Sequence, residues 1–596
     1  MKNFWKMVLA VIVGSILLSI ITLMLCSGFF SALGSSQAPI PKSGVLMIDM
    51  SKIIIDEQTQ EGNPFASIQS GGGQAPVIVG IRDAVCALKK AAADPGVKYI
   101  YLKTDGNATG AANIEEFRKA LKDFRASGKA VVAYTEAPAT AGYWLASVAD
   151  KIYMTSHHGV SPMLTGISTR MIFLKDLLDK LGVKVQLIRH GRYKSAGEMY
   201  VRSEASADNL AQYKALVGAL WGTISKDIAE SRGISVEALD KAVDGLELCS
   251  PEDFVAAGLV DSVMDREALR QRLADLAVVG KWSDVKMIPF DGYTAAKVLP
   301  NHKSTKKIAI IYASGEIVEA SDPNNISGNR FASIISKVRA DSTVKAVVLR
   351  VNSPGGSVLA SEKIKSELDL LQQHKPLVAS YGAYAASGGY WISNACDKIY
   401  SDATTLTGSI GVFSMIPEFS GTLKNIAHVN VQSVSSNKHG DMYGFTRPLD
   451  AAETEFMHRS VELIYNDFIS NVASGRDLDP SYVDEIGQGR VWAGSDALGI
   501  HLVDEIGTLE DAVAWAAAAA GDADVNAWNV VGYPKPLTMF EMITTGFGGP
   551  DPEEENIFAG TPLSGTASAI LGWSRRIRSA KTDLHFARLP YDLVIE

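Results

Sequence analysis

Cysteine is scarce in this chain, with four in 596 residues (Cys26, Cys86, Cys249 and Cys396), and no two of them form a C-x-x-C pair. That spacing speaks against a zinc or dithiol motif, and neither a metal nor a cofactor is expected. Cys86 and Cys396 fall in helix-like apolar patterns, where a thiol behaves as a small buried hydrophobe. Histidine offers little more: of ten, His157 and His158 form a doublet, and His190 and His439 lie in polar turns that suit solvated rings. None stands in the setting of a serine's usual base. A basic stripe is also missing, the formal net charge being −9, so the chain lacks the footprint of a nucleic-acid binder.

Charge of either sign disappears from Met7 to Pro41, and Met7 to Phe30 is nearly all Val, Leu, Ile, Met and Phe. Spanning a bilayer takes roughly 20 apolar residues, whereas the core of a cleaved signal peptide has about 7–15 and ends in small residues. The run is therefore expected to be an uncleaved, single N-terminal transmembrane helix. Lys2 and Lys6 precede it, which orients the short N-terminus to the cytoplasm and the body to the far side of the membrane. Residues 1–42 are read as N-terminus, anchor and linker.

Beyond the linker the chain carries one pattern twice. K-A-V-V-L-R-V-N-S-P-G-G from Lys345 echoes K-Y-I-Y-L-K-T-D-G from Lys98, and S-G-G-Y-W-I-S-N-A-C-D-K-I-Y from Ser387 echoes the stretch from Thr140 to Tyr153 at the same offset of 247. One fold in tandem is the natural reading, with repeats at 43–300 and 301–533. In each, apolar strands (99–102 and 130–134; 346–351 and 377–381) alternate with helix patterns, which predicts a largely parallel sheet in an α/β core. Polar Gly/Asn-rich stretches at 61–75 and 321–329 read as mobile loops. Helices are expected over 207–232, 359–371 and 451–474. The final 63 residues, 534–596, carry an acidic run (Asp551 to Glu555) and a basic one (Arg575 to Arg578), match no motif and read as a docking tail.

The repeats differ where chemistry would sit. Ser409, in T-G-S-I-G-V, has Pro162 as its counterpart, while Lys194, in G-R-Y-K-S, has its counterpart near Gly440 or Asp441. Each repeat has kept one member of a pair. A serine on a Gly-rich turn suits a nucleophile, and Ser387, in A-A-S-G-G, is a second candidate, although a serine at a helix start also serves as an N-cap. The turn R-V-N-S-P-G-G-S at 350–357 places two glycines between a strand and a helix, where backbone amides are free to hold an oxyanion. Without a histidine, the base left for such a serine is a lysine, whose usual pKa of about 10.4 must be lowered by burial. Lys194 is the candidate, with Arg192 as a neighbour whose charge would favour the neutral amine.

Taken together, N-S-P-G-G-S, A-A-S-G-G-Y-W, L-T-G-S-I-G-V, G-R-Y-K-S-A and G-R-V-W-A-G resemble the signal peptide peptidase A family in its long, duplicated form. The resemblance covers nearly the whole chain. It implies tandem ClpP/crotonase-like ββα spiral domains and a membrane-anchored serine endopeptidase that degrades cleaved signal peptides with a Ser/Lys dyad. Ser409 would be the nucleophile and Lys194 the general base. Gly356, with Gly355 and Ile410, would form the oxyanion hole, and Ser433 or Ser435 would orient the lysine. It further implies a homotetramer on the periplasmic side of a bacterial inner membrane. Two other readings of the same residues are a crotonase-like acyl-CoA enzyme, which would use the glycine amides without a covalent serine, and a catalytically silent membrane scaffold.

Overall fold

A computed structural model describes residues 40–60, 75–159, 162–320, 322, 324–535 and, as backbone, 586–588. The expected anchor, Met7 to Phe30, lies outside them. Among the described residues no helix is long and apolar enough to cross a membrane.

Two parallel sheets are built on one plan. The first runs β8 (Ser262–Met264), β6 (Lys151–Thr155), β5 (Val131–Thr135), β4 (Val97–Lys103), β1 (Gly44–Asp49), β9 (Met287–Pro289). The second repeats that order with β20 (Glu505–Ile506), β16 (Lys398–Ser401), β15 (Leu377–Ala386), β13 (Val344–Ser353), β10 (Lys307–Ser314) and β21 (Asn529–Tyr533). Their central strands are apolar and buried almost throughout, as a parallel sheet covered on both faces requires.

The duplication extends to single hydrogen bonds. Asp261, closing A-G-L-V-D, accepts from the Ile152 amide at 2.9 Å, and Asp504, closing I-H-L-V-D, accepts from the equivalent Ile399 amide at 2.7 Å. Likewise Lys129 caps the helix Ile81–Ala93 by donating to the carbonyls of Ala91 and Asp94, and Lys375 caps Gly328–Ala340 through Val338 and Asp341. A cation at a helix C-terminus also meets the negative end of the helix dipole.

The predicted helices form at Ala207–Arg232, Val358–Gln372 and Ala451–Arg476. Two local expectations are corrected. The polar stretch 321–329 does not stay a loop to its end: Ile326–Ser327 is a short strand, β12, beside β11 (Ile317–Val318), and a helix starts at Gly328. The Pro-Gly-Gly segment is not simply a strand-to-helix turn either, because Gly355–Ser357 forms strand β14, and the helix begins only at Val358, capped by the Ser357 hydroxyl. The first repeat's counterpart of β11 and β12 is the isolated pair β2 (Ile53–Asp56) and β3 (Val77–Gly80).

A third sheet joins the repeats. Its order is β12, β11, β14, β22 (Phe586–Arg588), β18 (Val412–Glu418), β7 (Lys184–His190). β7 belongs to the first repeat and β18 to the second; they run antiparallel over seven residue pairs, from Val412 opposite His190 to Glu418 opposite Lys184. Elsewhere the repeats are pinned by a fully buried charge cluster, in which Arg350 of β13 reaches Glu57 at 2.6 Å and Glu116 at 2.8 Å, both from the first repeat. Its remaining donors go to Ser380 Oγ, the Tyr381 carbonyl and Asn113 Oδ1. Beside it, Glu115 accepts the amides of Ala403 and Thr404.

Removing one partner of a buried ion cluster leaves the other charges desolvated and unpaired. Arg350→Met is expected to destabilise the chain by about 3–5 kcal/mol, read as a lower urea midpoint. A midpoint within error of the parent would mean that the cluster does not hold the repeats together.

Candidate active site

The ladder between β7 and β18 fixes the site. Lys194 follows β7 by four residues and Ser409 precedes β18 by three, so pairing the strands brings two side chains 215 positions apart in sequence to one point. Lys194 Nζ lies 2.9 Å from Ser409 Oγ, 3.0 Å from the Ser409 carbonyl and 2.7 Å from Ser387 Oγ. All three residues are buried. The pair expected to be split between the repeats therefore meets within one chain.

The Lys194 turn is rigidly held. Its amide donates to the Gly191 carbonyl, and its carbonyl accepts from Arg189 Nη1 at 2.7 Å, which also pairs with the buried Glu198 carboxylate at 3.1 Å. The G-R-V-W-A-G segment forms the opposite wall: the Gln488 carbonyl takes the Tyr193 amide, the Gly489 amide donates to the Ile410 carbonyl, and the Arg490 carbonyl takes the Ser409 amide at 2.7 Å. Gly489 has φ +76, and a Cβ there would meet Lys194 Cβ at 2.6 Å, so only glycine lets this loop close on the lysine. The motif is thus a clamp around the pair, a role its sequence did not disclose.

Both serines are held in backbone conformations that side-chain-bearing residues avoid. Ser409 has φ +52. Ser387 has φ +57 and ψ −113 and makes no capping bond, so it is not the N-cap that its place before a helix suggested. Each such conformation costs about 1–3 kcal/mol and survives only where the surroundings enforce it. Here both strained residues point their hydroxyls at one amine.

Burial alone drives the Lys194 amine well below the usual lysine range; no charged partner contributes. This corrects the expectation for Arg192, whose guanidinium instead stacks on the Tyr193 ring at 4.8 Å. Ser433 and Ser435 also lie elsewhere. They are exposed, in a shallow hollow with Lys438, Asp441 and Arg447, and the place beside the lysine belongs to Ser387.

Of the amides expected to face an oxyanion, the one on Gly355 donates to Ser353 Oγ at 3.2 Å, and Ser409's own amide is held by Arg490. Gly356 sits in β14 opposite Ile317 of β11, and Ile410 directly follows Ser409. Alongside runs an apolar cluster drawn from both repeats, comprising Tyr213, Leu216, Leu220, Ala386, Leu406 and Val491, which abuts the site through Ala386, next to Ser387. Among the described residues, one group of His439, Asp450 and Glu453 has metal-like spacing, but Glu453 is already bound by Arg447 and caps its own helix with Asp450.

The family model for peptidase family S49 matches residues 123–280, which include Lys194, and 369–522, which include Ser387 and Ser409. The chain belongs to this family and is a serine peptidase. It is 34% identical over 536 residues to "Protease 4" of Haemophilus influenzae, covering 86% of this chain and 85% of that protein. To "Protease 4" of Salmonella typhi it is 34% identical over 524 residues, covering 85% and 82%. A "Putative signal peptide peptidase SppA" of Enterococcus faecium is 33% identical over 223 residues, or 36% of this chain and 64% of that one. Within S49, the chain is a member of the signal peptide peptidase A family.

A lysine whose folded pKa is depressed binds fewer protons folded than unfolded between that value and the ordinary 10.5, so its burial opposes folding in full below the depressed value and progressively less up to 10.5. Lys194→Met is therefore expected to raise the melting temperature at neutral pH, with the gain narrowing as pH approaches 10. A gain independent of pH would mean that the amine is not neutral in the fold.

Proposed function

We propose that Ser409 and Lys194 are a catalytic Ser/Lys dyad that hydrolyses peptide bonds, with Ser387 positioning the lysine. The observation that carries this reading is the surroundings of Nζ: three oxygens within 3.0 Å and no carboxylate. A neutral amine has two N–H donors and one lone pair. It satisfies that set by donating to Ser387 Oγ and the Ser409 carbonyl while accepting the Ser409 hydroxyl proton. Oγ of Ser409 then attacks the peptide carbonyl as its proton passes to Lys194; the oxyanion rests on backbone amides at Gly356 and Ile410. The ammonium returns the proton to the leaving amine, and water, deprotonated by the same lysine, releases the acid from the acyl-serine.

Extended peptides with small or apolar side chains are the proposed substrates. The apolar cluster beside Ser387 supports this, as does the name of the Enterococcus faecium relative, a signal peptide peptidase. The repeats are proposed to be ClpP/crotonase-like units within 43–300 and 301–533. The Met7 to Phe30 run is proposed to anchor a homotetramer in a bacterial inner membrane, with its body on the periplasmic side. The acyl-CoA and scaffold readings leave the neutral amine without a task.

Digestion and mass spectrometry after fluorophosphonate treatment should find one adduct, on Ser409, absent in Lys194→Ala. An adduct on Ser387 would exchange the two serines' roles, and no adduct on a folded chain would overturn the dyad. Because the base must be neutral, kcat/KM should rise with pH through the lowered Lys194 pKa and level off well below 10.5. Ser387→Ala should reduce kcat by about 10–100-fold and displace that pH profile, while Ser387→Thr restores part of both.

A further inference from the structure

The helix Ala207–Arg232 brings two kinds of buried residue to the site. Its Tyr213, Leu216 and Leu220 belong to the apolar cluster beside Ser387. Its first turns carry polar groups that are buried as deeply, Asn209 and Gln212. Gln212 Oε1 accepts the Val491 amide of the G-R-V-W-A-G wall at 2.8 Å, and Nε2 donates to the carbonyl of Tyr193, next to Lys194, at 3.5 Å. Asn209 Nδ2 donates to Glu198 Oε2 at 3.1 Å, and the N-cap Ser206 donates to the same buried carboxylate through its hydroxyl at 2.7 Å and its amide at 3.2 Å. Glu198 Oε1 also takes Arg189 Nη1, which holds the Lys194 carbonyl. Glu198 is thus a joint between the start of the helix and the turn that carries the base. The helix does not need that joint to form, because Ser206 Oγ already accepts the Asn209 amide. The second repeat makes the comparison. Its helix Ala451–Arg476 has the same length, with Asp450 in the place of Ser206, Glu453 in that of Asn209 and the exposed Phe456 in that of Gln212. There Glu453 bonds the amide of its own N-cap and Arg447. The repeat without a lysine at this place builds the same helix without the bridge, so the bridge serves the lysine rather than the helix.

We propose that Glu198 and Gln212 are positioning residues that tie Lys194 to the helix Ala207–Arg232, so that an apolar substrate side chain seated against Tyr213, Leu216 and Leu220 draws the base into register with Ser409. This rests on the peptidase reading of Ser409 and Lys194. Asn209 and Leu216 are separated by about 10 Å of continuous helix, a stiff connection between the apolar cluster and the joint at Glu198. Binding energy gained at a side chain remote from the scissile bond then appears in kcat rather than in affinity alone. The same bridge keeps the amine walled off from water. Loosening it admits water and returns the Lys194 pKa toward the ordinary 10.5. The charged groups around the turn are Arg189 paired with Glu198, Arg192 on the Tyr193 ring, and Arg490 over the rings of Tyr193 and Trp492. None of them causes the lowering, which is due to burial, so the bridge acts through geometry and exclusion of water.

The test uses the full chain with Glu198→Gln, which keeps the shape of the joint and removes its charge, and with Gln212→Met, which cuts the link to the clamp. Should the first fail to fold, the second, neutral for neutral, still carries the test. With a short fluorogenic peptide each should lower kcat by about 10-fold or more, leave KM within about twofold, and move the rising limb of kcat/KM up by roughly one pH unit. Arg189→Met should do the same, and Arg189→Lys should recover part of it. In the parent, exchanging an apolar residue of the peptide for glycine should lower kcat, and in Glu198→Gln that difference should shrink to about twofold or less. One readout needs no catalysis: the gain in melting temperature from Lys194→Met at neutral pH should be smaller in the Glu198→Gln chain than in the parent. Variants that melt earlier but keep kcat, the pH limb and the full Lys194→Met gain would show a merely structural role and overturn the proposal. A reduced gain in a protein whose parent cleaves no peptide would keep the tie to Lys194 and sink the peptidase reading instead.

Discussion

The antiparallel ladder between Lys184–His190 and Val412–Glu418 is the constraint on which the rest depends. Seven consecutive pairs set the register between the two halves. A slip of one residue would turn every side chain to the other face of the strand. It would also displace the lysine by about 3.3 Å from the serine, more than the hydrogen bond between them spans. Neither half holds both members of the proposed dyad, so the ladder assembles the candidate site as well as the fold. The buried Arg350 cluster also ties the two repeats together.

The second essential feature is what the junction withholds from Lys194. An ammonium would ordinarily be met by a carboxylate, and Glu198 is only four residues away in sequence, but that carboxylate is fully engaged with Arg189, Ser206 and Asn209. The amine is left with hydroxyls and a carbonyl, which bond it without supplying a counter-charge. Desolvation then does the rest. Two serines in left-handed backbone hold that arrangement, at a cost in conformational energy that a residue serving only to pack would have no reason to bear.

Much of this is legible in the residues alone, because it is local. Strand and helix positions follow from apolar periodicity, the duplication from self-similarity, and the pairing of Lys194 with Ser409 from what each repeat lacks. The misreadings concern long-range geometry. Ser387 precedes a helix, as an N-cap does, and only its φ and ψ distinguish a hydroxyl aimed at an amine. Ser433 and Ser435 lie in a segment that aligns only loosely with the family pattern and folds away from the site. Arg192 is adjacent in sequence but stacks on a tyrosine. The Pro-Gly-Gly segment becomes a strand only because β11 and β22, distant in sequence on either side, lend it edges.

Dividing the proposed dyad between the repeats has a consequence during synthesis. The lysine leaves the ribosome 215 residues ahead of the serine, and the clamp at Gly489 emerges later still. Until the second repeat follows, the amine has no serine to meet, and a chain that stalls before Gly489 lacks the loop that closes on the lysine. On that reading the site is completed only late in translation, so a peptidase built this way needs no removable inhibitor to stay harmless while the earlier part of the chain is being made.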